Sequence, residues 1–436
     1  MKETIISPEI IHNKIAESGI ENVGRSSIRE TVKLVNEIEK ASGIKFIRME
    51  MGVPGLPGSK IGTDAEIKAI QNGAVSIYPP MEGLPELKAE AARFLKLFAN
   101  ANFSPMGCLP TVGSMQASMA AIMVSSRCNP GKNKTLFIDP GFPVQKQQCS
   151  VLGHEPYSFD IYDYRGAKLR DKIESYLKKG DVANILYSNP NNPTWVCLNE
   201  QELQTIADLA NKYDVVVIED LAYFGMDFRV DIEKPGVPPY QPTIQKYTDN
   251  CIILLSGSKV FSYAGQRIAI MAIPDSLFLK KFPNLKAYFN SEEFGHAVIY
   301  GALYALSAGT AHSAQHALAA MFKAANNGEF HFIEEIREYE RRAHVMKELF
   351  TENGFIIVYD KDEEKPLGNG FYFTINYPGF TGVQLMEELL YYGISAVTLD
   401  ITGSTREGLR ACVSQFSLLQ ISDLQKRLKL FKENHS

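Results

Sequence analysis

The sequence predicts an α/β protein with two domains. In the larger, a mostly parallel sheet is sandwiched by helices; the smaller is an α+β domain built from both termini. Three observations lead there. Short, near-continuously apolar, β-branched runs alternate with longer helical stretches, the pattern of strands buried on both faces by helices. These runs fall in the middle of the chain, at 183–188 (ANILYS), 215–220 (VVVIED), 251–255 (CIILL) and 268–273 (IAIMAI). Towards the C-terminus, FIIVYD and FYFTINY follow a helical stretch and lack the buried-strand signature. At 436 residues the chain has room for two or three domains of ordinary size. The large domain is expected at 61–315, and the smaller one at 1–60 together with 316–436.

Taken in order, the first strong helix begins at Ser27-x-x-Glu30, a capping box, carries the stripe Ile28, Val32 and Val35, and ends near Gly43. A second opens at Gly113-Ser114-Met115 and runs into an Ala-rich stretch. Between the first two apolar runs, Leu203, Ile206, Ala207 and Ala210 recur at helical spacing behind Asn199, an N-cap that Glu202 can answer. The alternating charges of EEIREYERR, 334–342, read as the solvated face of a helix.

Composition narrows the function classes. Hydrophobic residues make up 45%, charged residues 22% and the net charge is −5 without a basic block, so neither a disordered chain nor a nucleic-acid footprint is expected. Six cysteines without a C-x-x-C pair suit reduced thiols better than a disulfide framework or a zinc site. Glu3 and Pro8 interrupt any leader-like apolar stretch, and no apolar run approaches the about 20 residues that span a bilayer. A cytoplasmic protein handling small polar molecules, without metal, membrane or nucleic acid, is the expectation.

In doubly wound sheets the site lies beyond the strands' carboxyl ends. Here those ends carry Asn189 and Asn192 (NILYSNPNNPT), Asp220 with Tyr223 (VVVIEDLAYF), and Ser256, Ser258 and Lys259 (CIILLSGSK). Taken singly, a strand-end aspartate caps a helix and a lysine after Ser-Gly-Ser is solvated. Together they suit one chemistry. A desolvated lysine amine forms Schiff bases, and an aspartate facing a pyridine nitrogen keeps it protonated as an electron sink. The free amides that open the helix at Gly113-Ser114-Met115 would cradle a phosphate, and Arg267 would neutralise it. That combination is the chemistry of pyridoxal phosphate.

At these residues the chain resembles the fold-type I pyridoxal-phosphate enzymes, specifically the class I/II aminotransferases. NPNNPT (189–194) is similar to the family's Asn-Pro-x-Asn-Pro-Thr, DLAY (220–223) to its Asp-x-Ala-Tyr, and SGSK-x(5)-GQR (256–267) to its lysine and phosphate-arginine block. YPPMEGLPELK (78–88), MGVPG (51–55) and REGLRACVS (406–414) resemble further segments of that family, in the same order. The resemblance implies Lys259 as the Schiff-base lysine and proton shuttle, Asp220 at the pyridine nitrogen, and Tyr223 with Asn192 at the ring's phenolic oxygen. It implies a phosphate held by Ser114, Met115, Ser256, Arg267 and, from a neighbouring subunit, Tyr78, with Phe142 stacked on the ring. The α-carboxylate would meet Arg410, Asn192 and the Gly52 backbone, and Asn192-Pro193 would be cis. The implied activity is amino-group transfer between an L-amino acid and a 2-oxo acid, in a homodimer with shared sites. A carbon–sulfur β-lyase, a decarboxylase and a non-catalytic cofactor-binding regulator are the alternatives, the last weakened by the presence of both Lys259 and Arg410.

Two departures stand out. The ring-stacking position is Phe142, not the usual Tyr or Trp, and the family's glycine after Asn-Pro-Thr is Trp195, the chain's single Trp. A phenyl face suffices for stacking. Trp195 either narrows the approach to the site or fills an interior, packing being the ordinary role of a lone Trp. Other patterns lead nowhere: Ser256-x-x-Lys259 lacks the Lys-Thr-Gly and Ser-Asp-Asn partners of penicillin-binding enzymes. Gly52, Gly55, Gly58 and Gly62 are interrupted by Pro54 and Pro57, and His312 with His316 lacks the Glu of a zinc helix.

Overall fold

The computed structural model describes residues 3–232 and 234–435. The chain divides into two compact units, one of Leu56–Asn191 with Cys197–Ile336, the other of Met1–Gly55, Asn192–Val196 and Arg337–Ser436.

The larger unit is organised by a seven-stranded sheet: β1 (Cys108–Thr111), β2 (Lys134–Asp139), β3 (Tyr157–Asp160), β4 (Val182–Ser188), β5 (Val216–Leu221), β6 (Cys251–Ser256) and β7 (Ala269–Ala272). Their order across the sheet is β1-β7-β6-β5-β4-β2-β3. β2 to β6 pair in parallel, whereas β7 runs antiparallel to both of its neighbours, β6 and β1. The apolar run at 268–273 thus differs from the other three in direction. What dictates its composition is burial on both faces, which is blind to polarity. Its reversal has a consequence for the site: Ala269, at the start of β7, pairs with Ser256 and Thr111, at the ends of β6 and β1. The residues preceding β7 therefore lie on the same sheet edge as the residues following its neighbours. Helix Gly113–Ser125 packs its Ala117, Ala120, Ala121 and Val124 into the core with Ile252, Leu254 and Met271, its small side chains allowing a close approach. Helix Glu200–Tyr213 carries the Asn199/Glu202 capping box with both reciprocal bonds, at 2.9 and 3.1 Å.

In the smaller unit, helix Ile28–Ser42 starts on the Ser27/Glu30 capping box and ends at Gly43 in the left-handed conformation, φ +71°. A four-stranded antiparallel sheet follows the order Val397–Thr398, Leu409–Cys412, Tyr372–Asn376, Ile356–Ile357. Phe350, Phe355, Phe373 and Phe431 form an aromatic core beside it. The charged run at 334–342 belongs to two helices broken at Arg337, Phe332–Ile336 at the end of the larger unit and Glu338–Glu352 in the smaller. Among the described residues no helix is long and apolar enough to cross a membrane.

Candidate active site

One edge of the large unit's sheet collects the predicted residues, since each sits at or just past a strand end. Asp220 is on β5, level with Ser188 of β4 and Leu254 of β6. Its carboxylate accepts from Gln145 Nε2 at 3.0 Å and from the Ala222 amide at 3.1 Å. Burial pushes its carboxyl up to about 6, the two hydrogen bonds and the charge of Lys259 pulling the other way. Tyr223, three residues on, is buried. Lys259 lies in the single turn Gly257–Val260 directly after β6, which Ser256 caps by accepting from the Ser258 amide at 3.1 Å. Gln145 was invisible in the sequence. It belongs to helix Pro143–Val151, just past Phe142, and only its buried side chain betrays the role.

Past β1, Gly113 has φ +67°. A Cβ there would come within 2.5 Å of Arg267 Nη2, so the absence of a side chain is what lets the guanidinium lie against the helix start. Arg267 itself is left-handed, φ +49°, and Nη1 donates to the Ala264 carbonyl at 2.8 Å. The amides of Ser114 and Met115 belong to the first turn, which has no intrahelical acceptors. Ser114 Oγ is buried without a hydrogen-bond partner. A lone donor hydroxyl, free amides and a guanidinium at a 13-residue helix's N-terminus fit a phosphate group. Phe142 follows β2 and is half-buried. Tyr78 is different: it is 89% exposed.

The loop that joins Lys259 to Arg267 is held from below. Tyr263 Oη donates to the buried Glu66 carboxylate at 2.6 Å, and Ser313 Oγ donates to its other oxygen at 3.0 Å. The same loop contains a second left-handed non-glycine residue, Ser262 at φ +49°.

The smaller unit holds the rest. Arg410 lies on Leu409–Cys412 opposite Thr374, which places Tyr372 diagonally across on the same face, within reach of a long side chain. The Arg410 guanidinium rests 4.9 Å from the Tyr372 ring centroid. It is 2% exposed; Nη2 donates to the Glu50 carbonyl at 2.6 Å, Nη1 reaches Asn192 Oδ1 at 3.5 Å, and Nε has no partner. Among the described residues no carboxylate neutralises it, because the Glu50 side chain is taken by Arg48 and Ser395, both at 2.6 Å. A buried cation bonded only to neutral oxygens has charge left for an anion. Gly52 follows two residues after Glu50, and a Cβ there would collide with the Tyr372 hydroxyl. The Asn192-Pro193 bond is cis. Tyr372 and Glu50 were not singled out by sequence; strand alternation relative to Arg410 was the available signal for the first.

The aminotransferase class I and II family matches residues 55–422, and the chain belongs to it. The aspartate aminotransferase of Sulfolobus acidocaldarius is 25% identical over 58% of this chain and 61% of its own. The LL-diaminopimelate aminotransferase of Halothermothrix orenii is 25% identical over 66% of this chain and 72% of its own. The chain thus spans less than two thirds of the aspartate relative's length. The solved alanine aminotransferase of Pyrococcus furiosus, 20% identical, has the same fold, with a TM-score of 0.74 over 94% of this chain and 98% of that one.

Proposed function

We propose that this protein is a pyridoxal-phosphate-dependent aminotransferase that moves an amino group between an L-amino acid and a 2-oxo acid. The observation that carries the reading is the convergence of Asp220, Lys259, Ser114 and Arg267 on one sheet edge, in a chain of this family. When bound, the cofactor supplies a protonated pyridine ring that accepts the electron pair left when an amino acid's Cα loses its proton. Lys259 is the amine that anchors it covalently, and Lys259 Nζ moves the proton to and from that Cα. Asp220, held in place by Gln145, keeps the ring nitrogen's proton. Tyr223 and Asn192 hold the phenolic oxygen, and Phe142 stacks on the ring. The Ser114 and Met115 amides, the hydroxyls of Ser114 and Ser256, and Arg267 bind the phosphate. Arg410, Asn192 and the Gly52 amide bind the substrate's α-carboxylate.

Two further parts of the reading draw on the surface and the thiols. Tyr78, with Val75 at 72% and Ile77 at 64% exposure, belongs to an exposed, apolar-rich stretch of chain that suits a two-fold dimer interface, Tyr78 completing the neighbour's phosphate site. Six cysteines without a C-x-x-C pair suit a reducing compartment such as the cytoplasm.

The test is a spectroscopic half-reaction. An amino acid should convert the bound cofactor to its amine form and an oxo acid should convert it back; release of ammonia or carbon dioxide instead would replace the reading by a lyase or decarboxylase. Lys259→Ala should keep the cofactor non-covalently and lose turnover by at least about two to four orders of magnitude, the worth of a positioned proton shuttle. Near-normal turnover by that variant would overturn the proposal.

A further inference from the structure

Trp195 stands where the related family has glycine, and its backbone shows why glycine is usual there. Its φ of +67° is left-handed, a conformation that strains a bulky residue and persists only where the surroundings impose it. Here they do. The indole is fully buried, and its edge occupies the space that a Cβ on Gly370 would need. It meets the Tyr372 ring edge-on, centroids 6.3 Å apart. That ring carries the Arg410 guanidinium on its face and abuts Gly52 with its hydroxyl. One tyrosine therefore touches two of the groups assigned to the α-carboxylate, and Trp195 limits where its ring can lie. The same five-residue segment reaches Arg410 a second time through Asn192 Oδ1.

We propose that Trp195 is a positioning residue for carboxylate recognition: wedged against Gly370, it fixes the Tyr372 ring on which Arg410 rests. The inference rests on the reading of Arg410 as the carboxylate receptor. Because Trp195 is the only Trp, the protein's own indole emission reports on it. Holoenzyme is titrated with maleate and with propionate, neither of which can transaminate, while cofactor absorbance follows binding independently. A saturable change in emission with the same midpoint as the absorbance change is expected. A silent indole while the absorbance responds overturns the proposal.

Variants provide the second arm. Trp195→Gly, which also relieves the backbone, should weaken maleate binding by about tenfold, equivalent to about 1.4 kcal/mol, and Trp195→Phe by less. Cofactor occupancy should stay that of wild type in both. Unchanged maleate affinity in the soluble variants, or lost occupancy with unchanged affinity, assigns Trp195 to packing alone and overturns the proposal. Should Trp195→Gly fail to fold, Trp195→Phe and the wild-type emission decide. Arg410→Lys separates the two claims: if it too leaves affinity unchanged, or wild type binds neither carboxylate, the reading of Arg410 falls as well. If it weakens binding and the tryptophan variants do not, only the role of Trp195 falls.

Discussion

Asp220 shows how a single buried carboxyl couples pH to both stability and chemistry. In the unfolded chain an aspartate releases its proton near pH 4, whereas here burial holds it to about 6. Between those values the folded state binds more protons than the unfolded one, so this group makes stability fall as pH rises, and above about pH 6 its cost is complete. A displacement of about two pH units corresponds to at most about 3 kcal/mol. In cofactor-free protein, Asp220→Asn should therefore gain on wild type between pH 4 and 7, by up to that amount in urea unfolding, while in the cofactor-loaded protein single-turnover transamination should slow. Parallel stability curves would show that the carboxyl carries no such penalty. Asp139 and Glu219, pushed up by burial to about 6 and about 7, add to the slope in both proteins and cancel in the comparison. The place of Asp220 at a strand end was legible in sequence because a polar residue ends an apolar run. Its partner Gln145 was not, since amides occur everywhere and only burial distinguishes this one.

At the scale of elements, the segment from Lys259 to Arg267 is held in two left-handed turns by an anchor outside itself, the Tyr263–Glu66–Ser313 chain. Tyr263→Phe leaves the buried Glu66 carboxylate with Ser313 alone. It should cost about 1–3 kcal/mol in stability, the desolvation penalty of an unanswered group, and loosen cofactor binding as the arginine shifts. Equal melting temperatures for variant and wild type would show that Tyr263 does not anchor the segment. Elements with self-contained signals could be read from sequence: both capping boxes are formed where Ser27, Glu30, Asn199 and Glu202 put them. Others depend on neighbours. β3, at the sheet edge, leaves Tyr157 and Ser158 only partly covered and so has no apolar run, and β1 contains Pro110. The direction of β7 is set by pairing, which no local pattern encodes.

For the whole molecule, the exposed apolar residues Val75, Ile77 and Tyr78 suit the proposed two-fold dimer, and a dimer with shared sites is testable by complementation. Lys259→Ala chains should be inactive, and Tyr78→Ala chains weakly active. A hybrid dimer places both defects in one site and leaves the other intact, so mixing should restore activity. A mixture that stays silent, with hybrids confirmed by mass, would show that Tyr78 does not serve its neighbour.

The smaller unit is assembled from three separate stretches of chain, one of them the pentapeptide Asn192–Val196. That has a meaning for inheritance and engineering. The indole of Trp195 is matched to a glycine 175 positions away, at 370, so the pair is written in two distant places of the gene. Exchanging residues 337–436 with a homologue would cut one half of the fit from the other. A crossover that respects the molecule must carry 192–196 along with the C-terminal stretch, as one unit of exchange that is discontinuous in sequence.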